Sequence, residues 1–309
     1  MHKEGSIRLL SLNLFLRPPL ISNPTGDFKE ARTAFFCKSI LPSYDLVCLQ
    51  EVFGLLSSRK ARIIAAAKAL GYTYSVVSPA PGFFASHLID GGLLILSRYP
   101  VLEWEFRSFE FAIFPDTLAD KGVLYCKLEV AGGPLHLFTA HTQSAYETSD
   151  MDLFRLYRSV TLRQIEAIAN FIREKRTQTG LIVLVGDLNI DAQASSKPLV
   201  DSSAKDEYTS LMSVLRDLQP CDVLTEACGV HPATHGRLCD GKPEDTVLTE
   251  TSAQGKELAL DYLFTFNETK AELGVDRTHT SIDPLLVQGQ PFTQISDHAA
   301  IRSVLKLKQ

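Results

Sequence analysis

The feature that most constrains this chain is the stretch Leu181-Ile-Val-Leu-Val-Gly-Asp187-Leu-Asn189-Ile-Asp191. Five consecutive apolar residues, rich in β-branched side chains, read as a strand buried on both faces, and Gly186 ends the run. Period-two geometry then puts Asp187 and Asn189 on the same side of the backbone. A carboxylate and a carboxamide converge just beyond the strand's carboxyl end. An acid supplies charge or moves a proton, and an amide donates to an anionic oxygen without repelling it, so the pair suits a phosphate beside a hard metal ion. In isolation, a strand running into an ordinary Asp/Asn turn would look the same. The other strand ends decide between the two.

They repeat the pattern. Ser6 to Leu14 is an apolar run that delivers Asn13 and then meets Pro18-Pro19. Tyr44 to Gln50 is a second buried strand and ends at Glu51, whose ionised carboxylate must reach solvent, a cation or a donor; Glu51 is the leading candidate metal ligand. Val123–Val130 pairs with Leu135–Ala140 through Gly132-Gly133, and His141 follows. Leu258 to Phe266 carries Asp261 inside an apolar run, where a carboxylate needs a partner such as histidine. Ser296-Asp297-His298 precedes a last strand, Ala299–Leu305. Helical periods fall at 28–40, at 56–70 with Gly71 as the cap, at 152–175 and at 207–218. The third has Ser149 or Asp150 as its cap and Leu153, Leu156, Val160, Ile165, Ile168 and Ile172 as its apolar stripe. Residues 72–77 and 91–96 read as strands, and 219–256 as irregular. Such alternation predicts an α/β architecture with ligands beyond the strand carboxyl ends. Because the polar tips run from one terminus to the other, residues 1–309 are expected to form a single domain.

Charge narrows the substrate. With 31 Lys and Arg against 36 Asp and Glu, the net charge is −5, a poor footprint for nucleic acid, and none is expected as a partner. The start of the chain lacks a signal peptide's apolar core, and no stretch is long enough to span a bilayer, which predicts a cytoplasmic or peripheral-membrane protein unless a leader has been removed. Cys37, Cys48 and Cys126 lie in apolar runs and read as core residues. The pattern Cys228-x2-His231-x3-His235-x3-Cys239 superficially suggests zinc, but the segment is Gly/Pro-rich and lacks a paired Cys-x2-Cys; a disulfide among Cys221, Cys228 and Cys239 would require export. Phe83 and Phe84, in a Pro/Gly loop, are either a plug beneath that loop or a tip that touches a membrane. The aromatics between Trp104 and Phe114 pose the same alternative, with buried strand residues the expectation, and Lys121 is either a solvated turn residue or a phosphate ligand.

Two histidines, several carboxylates and two amides, with no cysteine among them, fit Mg²⁺-assisted attack of water on a phosphodiester. One histidine takes the proton while a buried aspartate holds its tautomer. The motifs Ser11-Leu-Asn13, Leu49-Gln-Glu51, Gly186-Asp187-Leu-Asn189, Leu260-Asp261-Tyr and Ser296-Asp297-His298 resemble those of the endonuclease/exonuclease/phosphatase superfamily, whose fold is deoxyribonuclease-I-like. Within it, Asp90-Gly91-Gly92 through Pro100, Asp116 through Gly122, and Thr139-Ala-His141-Thr-Gln143-Ser-Ala-Tyr146 are similar to segments of the neutral sphingomyelinases. The resemblance implies a four-layer sandwich, two packed mixed β-sheets flanked by helices, and cleavage of sphingomyelin, held in a membrane or micelle, to ceramide and phosphocholine. It implies Mg²⁺, with Mn²⁺ or Co²⁺ as substitutes, held by Glu51 with Asn13 and Asp297 nearby. His298 becomes the general base oriented by Asp261. His141 and Asn189 would stabilise phosphoryl oxygens, Asp187 would position the nucleophile or assist proton transfer, and Lys121 would bind substrate. A phospholipase C acting on lysophosphatidylcholine or another phosphosphingolipid fits nearly as well. A nuclease, an inositol-phosphate phosphatase or an inactive scaffold fits less well, because the chain has few cations near these motifs and keeps both histidines and every carboxylate.

Overall fold

The computed structural model describes residues 5–19, 21, 26–82, 87–146, 148–176, 179–193, 207–239, 242–243 and 257–308. Alternation along the strands builds its layers. In β1 (Ser6–Leu16), Ile7 and Leu9 face one way and Leu10, Leu12, Leu14 and Leu16 the other, and all are buried. In β2 (Leu46–Val52), Leu46 and Cys48 join the first set and Val47 and Leu49 the second. A strand that is apolar on both sides must be covered on both sides. With β3 (Tyr74–Val77) and β4 (Leu94–Ser97), these strands form part of a first sheet; α1 (Lys29–Phe35) with the turn that follows it and α2 (Arg59–Ala69) cover its outer face with residues such as Phe36, Ile63 and Ala67.

A second sheet follows: β5 (Val101–Ser108), β6 (Gly122–Val130), β7 (Gly133–His141), β8 (Leu181–Asp187), β9 (Cys221–Asp222) and, after a small ribbon of β10 (Leu238–Cys239) and β11 (Lys242–Pro243), β12 (Asp261–Phe266). Its strand order is β5-β6-β7-β8-β12-β9, with β7 and β8 parallel. The chain then returns to the first sheet through β13 (Leu273–Asp283) and β14 (Ala300–Leu307), giving the order β13-β14-β1-β2-β4-β3, with β1 and β2 parallel. Leu124, Leu137, Val183, Val185 and Leu263 meet Leu9, Cys48, Ile95 and Ile301 between the sheets. Tyr125, Phe138, Ile182, Leu184 and Phe264 point outward under α3 (Met151–Lys175) and α4 (Glu207–Leu215), and α5 (Val223–Cys228) packs against β13. The result is the predicted helix–sheet–sheet–helix sandwich of two six-stranded mixed sheets.

Several expectations need correction. The aromatics of 104–114 are not uniformly buried: Phe109 is 5% exposed, but Trp104, Phe111 and Phe114 are 54, 50 and 68% exposed. Trp104 sits in β5, an edge strand none of whose residues is fully buried, and Phe111 and Phe114 lie beyond its end in the segment before β6. Asp150 does cap α3, accepting from the backbone of Asp152 and Leu153, but Leu156 is 49% exposed; the buried face begins with Tyr157, Val160 and Thr161. Within 219–256, expected to be irregular, lie β9, α5 and the small ribbon. Cys48 and Cys126 are buried and Cys37 is half-buried, all as free thiols. Among the described residues, no helix is long and apolar enough to cross a membrane.

Candidate active site

The inward-facing row of each central strand is apolar through the middle of the sandwich and turns polar at one end. In β1 it runs from Leu9 through Ser11 to Asn13, in β7 from Leu137 through Thr139 to His141, and in β8 from Val183 through Val185 to Asp187; Leu263 of β12 is followed back to Asp261. Register aligns the tips: His141 pairs with Asp187 along the parallel ladder and Asp261 with Asp187 along the antiparallel one. Glu51 would fall on the outward row by strict alternation. Its backbone sits in the left-handed region instead (φ 55°), where the β1–β2 register shifts, and its carboxylate turns to meet Asn13. Gly186 lets these strands approach: its φ is 136°, and a Cβ there would lie 2.2 Å from the Ala140 carbonyl oxygen.

Asn13 donates its amide nitrogen to Glu51 Oε1 and to Asp187 Oδ2, 3.0 Å each, while its Oδ1 accepts from the Phe15 backbone at 3.1 Å. Asp187 Oδ2 also lies 3.7 Å from His141 Nε2 and 3.7 Å from His298 Nε2. Behind His298, Nδ1 is 2.7 Å from Asp261 Oδ2. Asn189 (φ 49°) donates its backbone N–H to Asp187 Oδ1 and its side-chain amide to the Thr142 carbonyl. Lys121 is buried, 2.7 Å from Asp116 Oδ2, 2.9 Å from the Thr142 carbonyl and 3.2 Å from His141 Nε2; Asp116 is held in turn by the Tyr146 hydroxyl and the Ser144 backbone. The Arg32 guanidinium, fully buried, donates to the carbonyls of Leu14, Phe15, Asp27 and Ile295, tying the tip of β1 to the segment before Ser296.

Burial sets the charges. It works against the His298 imidazolium, but the carboxylates of Asp261, Asp187 and Asp297 outweigh it and raise that pKa well above the usual histidine value. His141 moves the other way: burial, with the positive charges of Lys121 and His298 near it, keeps its ring neutral. Burial pushes Asp187 up to about 6, against the pull of His298. Glu51 is raised by burial and by the charge of Asp297. Asp297 is buried too, yet the His235 hydrogen bond and the positive field of His298 hold it down at about 2.

One cleft of about 420 Å³ opens onto Glu51, His141, Asp187, Asn189, Asp297 and His298 together. Lys121 lines it as well, and Asn13 and Asp261 bond directly to its wall. The sequence-predicted polar residues are thus brought into one place, while Phe83 and Phe84 lie outside the described residues. Sequence reasoning missed His235, which lines the same cleft, 3.5 Å from Asp297 Oδ2, with its ring against that of His298. The zinc-like spacing does not gather its histidines among the described residues: His231 meets Asp222 and Tyr262, His235 meets Asp297 and His298, and Cys228 is an exposed free thiol.

A two-sheet sandwich with a carboxylate–imidazole site at one end of its inner rows defines a class, and a comparison with family profiles agrees. The profile of the endonuclease/exonuclease/phosphatase family matches residues 29–298, and the chain belongs to that family. More particularly, it is similar to a sphingomyelinase of Dictyostelium discoideum, 30% identical over 95% of this chain and 78% of that one. It is also similar to a phospholipase C of Staphylococcus aureus, 25% identical over 86% of this chain and 76% of that one. Among solved structures, a variant of beta toxin from Staphylococcus aureus with bound magnesium ions superposes with a TM-score of 0.68 at 21% identity, over 98% of this chain and 100% of that one.

Proposed function

We propose that this protein is a Mg²⁺-dependent phosphodiesterase of the phospholipase C type that hydrolyses sphingomyelin to ceramide and phosphocholine. The observation that carries the reading is the His298–Asp261 pair, with Asp187 beside its free nitrogen, in a cleft shared with Glu51. The names of the relatives point to the same substrate class. The lining agrees: Ile21 and Leu118 stand at the cleft, 46 and 37% exposed, where an acyl chain would pass, and Arg17, Lys121 and the imidazolium of His298 face four carboxylates among the described residues. That balance suits a zwitterionic headgroup better than a polyanion.

The residues present fit a hard divalent ion. Glu51 and Asp187 face each other across a single amide group, and the charge of Asp297 reaches Glu51, so oxygen donors and negative charge gather at one point of the cleft. Glu51 would hold the ion, with Asn13 and Asp297 nearby. When bound, it would offset charge building on the phosphoryl oxygens and make water easier to deprotonate. His298 Nε2 accepts the proton of the attacking water. Asp261 fixes the other proton on Nδ1 and stabilises the imidazolium that results. Asp187, held by Asn13 and the Asn189 backbone, aligns the nucleophile, and His141, Asn189 and Lys121 face the phosphoryl oxygens. The test measures, with and without Mg²⁺, water-soluble phosphorus from sphingomyelin and lysophosphatidylcholine, inorganic phosphate from inositol phosphates and strand cleavage of plasmid DNA side by side, with His298→Ala as the control. Sphingomyelin turnover that needs both Mg²⁺ and His298 is the expected result; cleavage of DNA with no lipid hydrolysed would overturn the assignment.

A further inference from the structure

The first sheet is distorted where it meets the cleft. β1 and β2 run in parallel register from Leu9 beside Leu46 to Asn13 beside Gln50, and pairing resumes at Leu16 beside Val52, so Leu14 and Phe15 together stand opposite Glu51 alone. The extra residue bends the strand, and both Phe15 (φ 52°) and Glu51 (φ 55°) take the left-handed backbone that side chains rarely adopt. That bend aims the Glu51 carboxylate at Asn13. Backbone of this kind persists only where its surroundings impose it. Arg32, on α1 and fully buried, supplies the constraint: its guanidinium donates to the carbonyl oxygens of Leu14 at 2.9 Å and of Phe15 at 2.8 Å, the two residues of the bulge.

The same side chain reaches the segment that carries the proposed base. Its Nη1 bonds to the Leu14 carbonyl and also to that of Ile295, the latter at 2.7 Å, while Nε meets the Asp27 carbonyl at 2.6 Å. Ile295 is buried and is followed directly by Ser296, Asp297 and His298. The Ser296 hydroxyl donates to the Asn13 carbonyl and accepts the backbone N–H of His298 at 3.2 Å, which ties the two segments a second time. A planar guanidinium serves acceptors in several fixed directions at once, whereas a lysine ammonium on its flexible stem is a single point of charge and cannot span them. These bonds go to backbone, and they meet where the Glu51 bend and the Asp297–His298 segment come together.

We propose that Arg32 is a positioning residue that, with Ser296, fixes the spacing between the Glu51 bend and the Asp297–His298 segment, so that one buried clamp sets both the cation ligand and the general base. The clamp stands on the geometry; its effect on turnover rests on the roles given to Glu51 and His298 above. The test compares wild type with Arg32→Lys, or with Ser296→Ala should the first variant fail to fold. Leu128→Ala, a buried truncation at the end of the β6–β7 pair remote from His141, controls for lost stability. Amide hydrogen exchange reads the clamp without metal or substrate, at the Phe15 N–H held by Asn13 Oδ1 and the His298 N–H held by Ser296. Relative to the slowest core amides of the same protein, both are expected to exchange at least about tenfold faster in Arg32→Lys than in wild type, and as in wild type in Leu128→Ala; in Ser296→Ala, which removes one acceptor outright, the reading is taken at Phe15. Half of the Mg²⁺-induced rise in Tm should need at least about tenfold more Mg²⁺ in the clamp variant, and kcat should fall about 10²-fold with KM nearly unchanged, while Leu128→Ala keeps all three wild-type values. Exchange in a folded clamp variant no faster than in wild type would overturn the clamp. Faster exchange with wild-type Mg²⁺ dependence and kcat would overturn its role in positioning, as would a Leu128→Ala variant that moved both as far. A wild type that neither gains Tm with Mg²⁺ nor hydrolyses sphingomyelin would refute the proposed function while leaving hydrogen exchange to judge the clamp.

Discussion

Asp261→Asn isolates the part of the site on which proton transfer depends. The carboxylate meets His298 Nδ1 at 2.7 Å, both groups are buried, and the shape of the side chain survives the change. Hydrogen bonds to charged groups contribute about 1.5–3 kcal/mol. At 1.36 kcal/mol per factor of ten, losing that much as the imidazolium forms slows the step by roughly 10- to 150-fold. An amide in place of the acid also allows the ring to reverse its tautomer and turn N–H toward the water, and the full worth of a general base, about 10²–10⁴, bounds the combined loss. The expected result is a fall in kcat of about 10²–10³ with KM nearly unchanged. The pH profile adds an independent sign. Asp261 is the largest of the influences that raise the His298 pKa, so its removal lowers that pKa. The base is then neutral to lower pH, and the acidic limb of kcat/KM moves down. Steady-state hydrolysis of sphingomyelin in mixed micelles across pH, with a thermal melt to confirm folding, measures both. A kcat within threefold of wild type, or an acidic limb that moves upward, would refute the reasoning.

With Glu51 as the proposed ligand, Mg²⁺ should raise the Tm of the wild type but not of Glu51→Gln, and Glu51→Gln should show no turnover that Mg²⁺ stimulates; a variant that still gains Tm with Mg²⁺ would place the ion elsewhere. Gly186→Ala, forced to φ 136° with its Cβ 2.2 Å from the Ala140 oxygen, should destabilise by on the order of 2–5 kcal/mol and lower Tm by several degrees, as calorimetry would show. Asp45 is buried, which opposes its charge, yet the Arg8 side chain and backbone N–H outweigh burial and lower its pKa. Its contribution to stability is therefore present above the unfolded carboxylate value of about 3.9 and lost as pH falls through the lower folded value. In urea titrations, wild type should lead Asp45→Asn at pH 5 and lose that lead toward pH 3; a constant gap would contradict the pairing.

Much of this was legible because one signal carried both fold and site. A strand buried on both faces reads as an unbroken apolar run, and the residue that ends the run is the residue that enters the cleft, as His141 and Asp187 show. The signal fails where burial is one-sided or where the partner is distant. β13, Leu-Gly-Val-Asp-Arg-Thr-His-Thr-Ser-Ile-Asp, lies at a sheet edge and is largely polar, so only its pairing with β14 reveals it as a strand. Trp104 was expected inside because aromatic residues favour strands, but β5 is an edge strand in which no residue is fully buried. His235 carried a misleading cue: spacing tied it to Cys228 and His231, whereas isolated bridges to Leu258 and His298 place it in the cleft. Glu51 stood out by chemistry, but no pattern announced the left-handed backbone that turns it inward.

The working groups come from both halves of the sandwich: Asn13 and Glu51 from the first sheet, His141, Asp187 and Asp261 from the second, with His298 at the threshold of β14. Little covalent chain crosses from one half to the other near the cleft, so the alignment of these groups depends on how two apolar surfaces lie on one another. A slide of one sheet by a fraction of an ångström would separate proton acceptor from cation before any strand came apart. Turnover should accordingly fade at lower urea concentrations than those that erase the circular-dichroism signal, making hydrolysis the more sensitive register of how the two halves are seated.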